Sequence, residues 1–201
     1  METKRTLVIL DHPYGIEGAR NIPHKRSFTA ALAQKAITDL NERGHKVDVI
    51  DLHADGFDPV MHAEDLQSWR KVENIDPLVC NYQERIKRAD RLAFFFPIWW
   101  ELMPAMTKGF IDKVYAKNVL YTQESTPFHS LLDPIPEVIV TTVMNTPLSL
   151  YKTIFGNPLT KALKRGTFWK TGLKKYTWHS FNGVEKMSPE KREDILKKFH
   201  L

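Results

Sequence analysis

The sequence predicts an α/β fold: a five-stranded parallel sheet in the order 2-1-3-4-5, with helices on both faces. Residues 92–96 are an unbroken apolar run, typical of a strand that is covered on both faces and never meets water. Strand-like and helix-like segments alternate five times along the 201 residues. A chain of this length fits one domain spanning residues 1–201.

The first elements follow from local signals. Residues 6–10 form a short β-rich run and predict the first strand. Ser27 is a good N-cap for a helix through Arg43, and Gly44 is expected to end that helix. Residues 47–50 predict the second strand.

The central part of the chain carries two informative prolines. Residues 55–73 show no regular pattern and are expected to be irregular, whereas residues 78–88 predict a helix leading into the strand at 92–96. Pro97 should end that strand because it has no N–H for the sheet, and Pro104 fits the first turn of the next helix.

The rest of the chain continues the alternation. Gly156 and Pro158 are expected to interrupt one helical stretch. The remaining predicted elements are a loop over 117–132, a strand over 137–142, a helical stretch over 148–165, a strand over 176–181 and a helix from Ser188 to about His200.

Composition excludes several classes of protein. The single cysteine, Cys80, rules out a disulfide framework and a cysteine metal cluster, and it favours a reduced, cytoplasmic setting. The net charge of +5 is modest and scattered, with no basic stripe between aromatics, so nucleic acid is not an expected partner. The apolar run near the amino end is too short for a signal peptide, and no later segment approaches the length of a membrane span.

A loop with two adjacent tryptophans follows the central strand. Ile98, Trp99, Trp100 and Glu101 lie between the two prolines, at the carboxyl end of a buried strand, where open α/β sheets bind ligands. Two indoles in a short loop cannot easily share one core pocket. One reading assigns one indole to the core and the other to an interface. The preferred reading is a platform for a flat aromatic ligand such as an isoalloxazine ring.

A second candidate site lies at the start of the first long helix. The loop before Ser27 carries Arg20, His24, Lys25 and Arg26, and the free N–H groups of a helix N-terminus attract phosphate. An ordinary solvated basic loop is the alternative. In the predicted strand order this loop, the tryptophan loop and the polar run after the fourth strand form one continuous rim.

The sequence lacks the motifs of several other kinds of nucleotide-binding and metal-binding site. There is no Walker phosphate loop, and neither Gly15 nor Gly18 completes the dinucleotide glycine fingerprint. The eight histidines show no metal-ligand spacing, so no metal site is predicted. His12, directly after a strand, is the histidine expected to touch a ligand, with a local hydrogen bond as the alternative. A flavin fits this inventory because the cofactor carries the redox chemistry and needs only a phosphate site and a cradle for its ring.

These residues resemble those of the flavodoxin-like NAD(P)H:quinone oxidoreductases, which include the ancillary subunit of potassium-efflux systems and the drug-activity modulator type. The resemblance spans most of the chain. It rests on His12-Pro13, Ser27-Phe28, Asp51-Leu52, residues 57–60, residues 96–100 with 104–114, and residues 120–122.

The resemblance implies a non-covalent flavin, NAD(P)H as co-substrate, and a homodimer with sites at the subunit boundary. By this resemblance the cofactor-binding residues are His12, Ser27, Phe28, Pro97, Ile98, Trp99, Trp100, Glu101, Thr141, Thr142, Met144 and Asn145, the substrate-binding residues are Tyr121 and Thr122, and the catalytic residue is Tyr151. Arg20, from the basic loop before Ser27, is a further predicted cofactor-binding residue. FMN is preferred over FAD because no segment stands out as an adenosine pocket.

The chain departs from the family pattern at two places. Where the mammalian-type members carry Gly-Gly after Thr-Thr, this chain has Val143 and Met144, whose side chains alter how closely the backbone can approach a ring. The offset that holds a catalytic His in that group falls on Asn157 here.

Three functions are therefore compared. The leading one is a flavin-dependent NAD(P)H oxidoreductase that reduces quinones, nitroaromatics or azo compounds by ping-pong hydride transfer. The second is a regulatory flavin-binding subunit that docks on a transporter or another protein. The third, a one-electron carrier, is disfavoured because such carriers tend to be acidic.

Overall fold

The protein is represented by a computed structural model that describes residues 3–71, 76–124 and 128–201. Five parallel strands form the central sheet in the order β2-β1-β3-β4-β5, which confirms the predicted fold class. The strands are β1 Arg5–Leu10, β2 Lys46–Asp51, β3 Arg91–Pro97, β4 Glu137–Met144 and β5 Tyr176–Asn182.

Helices cover both faces of this sheet. The α-helices are α1 Phe28–Glu42, α2 Ala63–Lys71, α3 Pro77–Lys87, α4 Ala105–Val114, α5 Leu148–Thr153 and α6 Pro189–Lys198. Two 3₁₀ turns, Ile16–Arg20 and Val184–Lys186, and a wider π-type helix, Thr160–Trp169, are also present.

The central strand β3 explains why its sequence shows no alternation. Phe94 and Phe96 belong to the larger core on one face of the sheet, whereas Ala93 and Phe95 belong to the smaller core on the other. All four side chains are buried, so each face needs apolar residues and neither tolerates polar ones.

The predicted start of α1 is confirmed in atomic detail. The Ser27 hydroxyl accepts a hydrogen bond from the backbone N–H of Ala30 at 3.1 Å, as an N-cap residue should. Gly44 follows the helix with a φ of 76°, a left-handed conformation that glycine adopts without strain.

The expectation that residues 55–73 are irregular is wrong over Ala63–Lys71, which forms α2; residues 72 and 73 lie outside the described residues. This helix is polar and its tertiary contacts decide its position. The buried ammonium of Lys113 on α4 lies 3.2 Å from the Asp65 carboxylate. A local pattern could not reveal this ion pair between two helices.

Two smaller expectations also need correction. Pro104 occupies the N-cap position, and the first turn of α4 begins one residue later at Ala105. The predicted loop over 117–132 contains a short antiparallel ribbon in which Tyr121–Thr122 pairs with His129–Ser130. Residues 125–127 of that loop lie outside the described residues.

We predict that Gly109→Ala destabilises the protein by about 2 kcal/mol, the usual scale for overpacking. A Cβ at Gly109 in α4 would collide with the backbone carbonyl and Cα of Pro59, which cannot move away as a flexible side chain could. Urea unfolding measures this loss. Lys108→Ala, at an exposed neighbouring position, is the control and should change stability by less than about 0.5 kcal/mol. Equal stability of the two variants would contradict the close packing of α4 on Pro59.

Candidate functional site

A cleft of about 820 Å³ lies at the carboxyl ends of β1, β3 and β4. Its walls combine the loop after β1, the first turn of α1, the loop after β3, the end of β4 and the segment from Val184 to Leu196. Of the residues predicted for a cofactor, eight line the cleft: His12, Ser27, Phe28, Pro97, Ile98, Trp99, Met144 and Asn145. The rim predicted from three strand ends is therefore present.

His12 presents a defined hydrogen-bond donor to the cleft. Its Nδ1 accepts a hydrogen bond from the backbone N–H of Tyr14 at 3.2 Å, so in the neutral ring the proton resides on Nε2. Burial lowers the pKa of His12, an effect that the nearby carboxylate of Asp11 partly opposes. The ring is thus a neutral donor at pH 7 rather than a cation.

The first turn of α1 gives the cleft the features of an anion site. The N–H groups of a helix start without partners inside the helix, and the helix dipole adds positive potential there. Ser27, Phe28 and Arg26 all line the cleft at this point. Arg20, in contrast, does not line it; its exposed guanidinium pairs with Glu17 at 2.8 Å.

Two buried carboxylates fix the loops around His12. Asp11 accepts hydrogen bonds from the backbone N–H and the hydroxyl of Thr107, at 2.8 and 2.6 Å, and contacts His53 Nε2 at 3.1 Å. Asp51 accepts the N–H of Ile16 at 2.7 Å. The tip of β1 is therefore joined directly to the first turn of α4, which follows the tryptophan loop.

The tryptophan loop is a tight turn with left-handed backbone at its tip. Trp99 and Leu102 exchange two backbone hydrogen bonds of 3.0 and 3.1 Å, while Trp100 and Glu101 have φ values of 49° and 63°. Left-handed backbone is unfavourable for such side chains, and strain of this kind is concentrated at functional sites. The Trp100 side chain is 99% exposed, and within the described residues the N–H groups of Trp100 and Glu101 have no acceptor.

Glu101 fastens this turn to the region after β4. Its carboxylate accepts the hydroxyl of Thr146 at 2.7 Å, and its carbonyl accepts the hydroxyl of Tyr151 at 2.9 Å. The Tyr151 hydroxyl also accepts the N–H of Leu159 at 3.0 Å. These contacts hold the left-handed turn in place.

The structure places Tyr151 inside the protein rather than in the cleft. Its side chain is fully buried, and burial raises the pKa of Tyr151 to about 12. Because its hydroxyl both donates and accepts within the chain, the geometry gives Tyr151 a role in positioning Glu101. Its predicted catalytic role stays a prediction.

The two threonines predicted to contact the ring edge are also buried. Thr142 accepts a hydrogen bond from the indole N–H of Trp178 at 2.9 Å. The hydroxyl of Thr141 has no partner among the described residues. Three residues after Thr142, Asn145 lines the cleft and donates to Glu185 at 3.0 Å.

Tyr121 belongs to a different cavity, of about 390 Å³, which shares no lining residue with the cleft. Its ring stacks between those of Tyr115 and Phe128, with centroids 5.7 and 5.9 Å apart, and the Lys170 ammonium lies 4.9 Å from the centre of the Phe128 ring. Thr122, the other predicted substrate residue, pairs in the ribbon and lines neither cavity.

Sequence reasoning missed one wall of the cleft. Val184, Glu185, Pro189, Arg192, Glu193 and Leu196 line it from the carboxyl-terminal part of the chain. The position of Ser188 and Pro189 after the last strand indicated a helix but not the direction in which it returns. Only the folded structure shows that this segment lines the same cleft as the first turn of α1.

Within the described ranges, no group of three or more histidine, cysteine or acidic residues is arranged to hold a metal ion. A search of the same ranges finds no helix with the length and apolar character needed to cross a bilayer.

We predict that His12 makes the folded protein lose stability as the pH falls below about 6.5, the ordinary histidine value. Its folded-state pKa is lowered, so the unfolded chain binds a proton before the folded chain does. Between pH 7.5 and 5.5, the free energy of unfolding measured with urea should fall less for His12→Gln than for the unmodified protein. The exposed His24→Gln variant is the control. An identical pH dependence in all three proteins would contradict the half-buried, neutral state of His12.

Comparison with known proteins agrees with this architecture. The model of the flavodoxin-like fold family matches residues 4–200. The Smu.1420 structure from Streptococcus mutans UA159 is 27% identical, with a TM-score of 0.77 over 96% of this chain and 95% of that one. An NAD(P)H:quinone oxidoreductase from Methanothermobacter marburgensis has a TM-score of 0.79 at 24% identity, over 98% and 95% of the two chains, and shares the fold.

Curated relatives match over shorter stretches. The uncharacterized NAD(P)H oxidoreductase YcaK of Escherichia coli (strain K12) is 34% identical over 49% of this chain and 51% of its own length. NAD(P)H dehydrogenase [quinone] 1 of Cavia porcellus is 30% identical over 59% of this chain and 46% of its own. The chain thus spans about half the length of the curated relatives it matches. With a family match that covers nearly every residue and a sheet of the expected order, the chain belongs to the flavodoxin-like fold family.

Proposed function

We propose that this protein is a flavin-dependent NAD(P)H oxidoreductase that reduces quinones or related acceptors, such as nitroaromatics and azo compounds. The observation that carries the proposal is the cleft itself. It joins the N-terminus of α1, suited to a phosphate, to Ile98 and Trp99 of the tryptophan loop. The next two residues, Trp100 and Glu101, do not line the cleft, but their N–H groups have no acceptor among the described residues and would suit a ring with carbonyl groups.

The phosphate end of a flavin fits the donors on one side of the cleft. The first turn of α1 offers backbone N–H groups, and His12 offers its Nε2–H. Arg26 and Arg192 line the same cleft from opposite ends of the chain and add positive charge. This arrangement suits a dianionic phosphate because neutral donors and guanidinium groups favour its charged form.

The ring end fits the polar atoms near the tryptophan turn. The N–H groups of Trp100 and Glu101 can donate to ring carbonyls. Two oxygens, Glu101 Oε2 and Thr141 Oγ1, are buried with no partner in the described part of the chain. Unpaired buried polar atoms are uncommon in folded proteins and are found at ligand sites. The edge of an isoalloxazine ring alternates acceptors and a donor, so these groups would complement it, although Trp100, Glu101 and Thr141 are not among the residues that line the cleft.

A bound flavin would accept hydride from NAD(P)H and pass it to the acceptor in a ping-pong cycle. The protein's contribution is to hold the ring and leave one side open. The Glu101 contacts with Thr146 and Tyr151 keep the turn rigid, so its N–H groups need no rearrangement on binding. Val143 and Met144 stand where the resemblance expects Gly-Gly, and Met144 lines the cleft, so this side of the ring would meet side chains.

The relatives support the same reading. The Escherichia coli relative is named an uncharacterized NAD(P)H oxidoreductase, and the Cavia porcellus relative is named NAD(P)H dehydrogenase [quinone] 1. A Bacillus anthracis structure with this fold is described as an FMN-dependent NADH-azoreductase in complex with FMN. We propose FMN as the cofactor and, given a single cysteine, the cytoplasm as the location.

The purified protein is predicted to be yellow, with the visible spectrum of an oxidised flavin, and to release FMN on heating, identified by chromatography. NADH or NADPH oxidation with a benzoquinone should then be rapid. A colourless protein that also fails to take up added FMN or FAD would refute the proposal. Flavin binding without turnover would favour the alternative of a regulatory subunit.

We also propose a homodimer, with the tryptophan turn at its interface. Trp100 is 99% exposed, and Ile154 and Phe155, just after the helix that holds the turn, are 74% and 47% exposed. Exposed apolar clusters of this kind mark interaction surfaces.

Trp100→Glu should therefore shift the mass measured by light scattering from dimer to monomer, because a carboxylate would be buried in the interface. Trp169→Glu, at a half-exposed tryptophan on the π-type helix, is the matched control and should leave the mass unchanged. A monomeric unmodified protein, or a dimer that survives Trp100→Glu, would contradict this interface.

A further inference from the structure

Helix α6 forms one wall of the cleft, yet it is weakly attached along its own length. Pro189, Arg192, Glu193 and Leu196 line the cleft, but no residue of the helix is fully buried. A helix that buries little apolar surface gains little stability from packing. The position of this wall therefore depends on Leu196, which is partly buried against the smaller core, and on contacts at the ends of the helix.

The contacts at the carboxyl end of α6 are strong. Phe199, directly after the helix, is 5% exposed and packs edge-on against Phe95 and Phe181, with ring centroids 6.4 and 5.6 Å apart. The next residue, His200, contacts the Asp39 carboxylate through Nδ1 at 2.8 Å. The end of α6 is thus joined to the smaller core and to α1.

Asp39 is the fixed partner in this contact. Its side chain is nearly buried on α1, and Lys35 one turn earlier hydrogen-bonds to the same carboxylate. The Lys35 hydrogen bond, followed by that of His200, holds the pKa of Asp39 below its usual range despite burial. A carboxylate that stays ionised gives His200 a charged acceptor, and such hydrogen bonds are stronger than neutral ones.

The same two helices enclose the cleft. The first turn of α1 contributes Ser27 and Phe28, and α6 contributes Arg192 from the other side. The His200–Asp39 contact joins α6 to the last turns of α1, beyond the cleft. Release of this contact would let α6 move and carry Arg192 away from the first turn of α1.

We propose that Phe199 and the His200–Asp39 pair are positioning residues that hold α6 closed over the cleft and so set how fast a bound flavin phosphate leaves. This inference rests on the proposed function, since it assigns Arg192 to the phosphate end of the flavin. The three residues lie outside the cleft lining and act through the placement of α6.

The test is the rate at which FMN leaves the loaded protein, followed by the recovery of flavin fluorescence after dilution. His200→Gln should accelerate FMN release about five- to tenfold, the factor expected for the loss of one charge-assisted hydrogen bond. Phe199→Ala should accelerate it further, and Phe199→Leu should restore most of the retention because it refills the apolar site. The visible spectrum of the bound flavin should remain unchanged, because the ring contacts are untouched.

Lys35→Gln is the matched control. Lys35 pairs with the same carboxylate as His200, but from within α1, so its loss should leave the rate of FMN release within about twofold of the unmodified protein. A second control separates placement of α6 from general destabilisation. In an Arg192→Gln background, His200→Gln should no longer accelerate FMN release appreciably, because both changes remove the hold of Arg192 on the FMN phosphate.

Several outcomes would overturn the inference while leaving the proposed function intact. These are unchanged FMN release in both His200→Gln and Phe199→Ala, an equal effect of Lys35→Gln, or a His200→Gln effect that persists in full without Arg192. A protein that binds no flavin at all would overturn the proposed function and this inference with it.

Discussion

The buried carboxylate of Asp11 is the interaction on which the site depends. It lies at the tip of β1 and accepts two hydrogen bonds from Thr107 in the first turn of α4. Because parallel strands end at one edge of a sheet, this contact fixes the loop after β1 relative to the loop after β3. His12 follows Asp11 directly, and the tryptophan turn precedes α4, so one side chain sets the spacing of both sides of the cleft.

A carboxylate buried at this place must be well satisfied, since an unpaired buried charge would be very unfavourable. Thr107 and His53 together supply three contacts to Asp11. The resulting frame is rigid, and it allows the neighbouring turn to keep left-handed backbone at Trp100 and Glu101. A strained left-handed conformation persists only where the surrounding contacts determine it, and the contacts of Asp11 provide such surroundings for the turn.

Much of this arrangement could be predicted from sequence because it depends on local signals. The apolar run of β3 and the Ser27 cap each follow from a few neighbouring residues, and the strand order brings their ends together. The α2 helix could not be predicted, because its position depends on the ion pair of Asp65 with Lys113 on another helix. The wall formed by α6 was missed for the same reason: its contacts join residues far apart in the chain.

Tyr151 shows what the resemblance alone could not indicate. The resemblance gives it a catalytic hydroxyl, a role that stays a prediction, and the fold turns its side chain inward, where the hydroxyl donates to the carbonyl of Glu101. That contact joins two segments that are far apart in the sequence. Arg20 was predicted from the basic loop before Ser27, and its guanidinium lies outside the cleft and pairs with Glu17.

The proposed function depends most on one point, that the cleft binds a flavin through its phosphate at the start of α1. The most direct measurement compares the dissociation constants of FMN and riboflavin for the flavin-free protein by fluorescence titration. We predict that FMN binds at least about 100-fold more tightly, since two or more charge-assisted hydrogen bonds to the phosphate are lost with riboflavin. Equal affinities for the two flavins would contradict it.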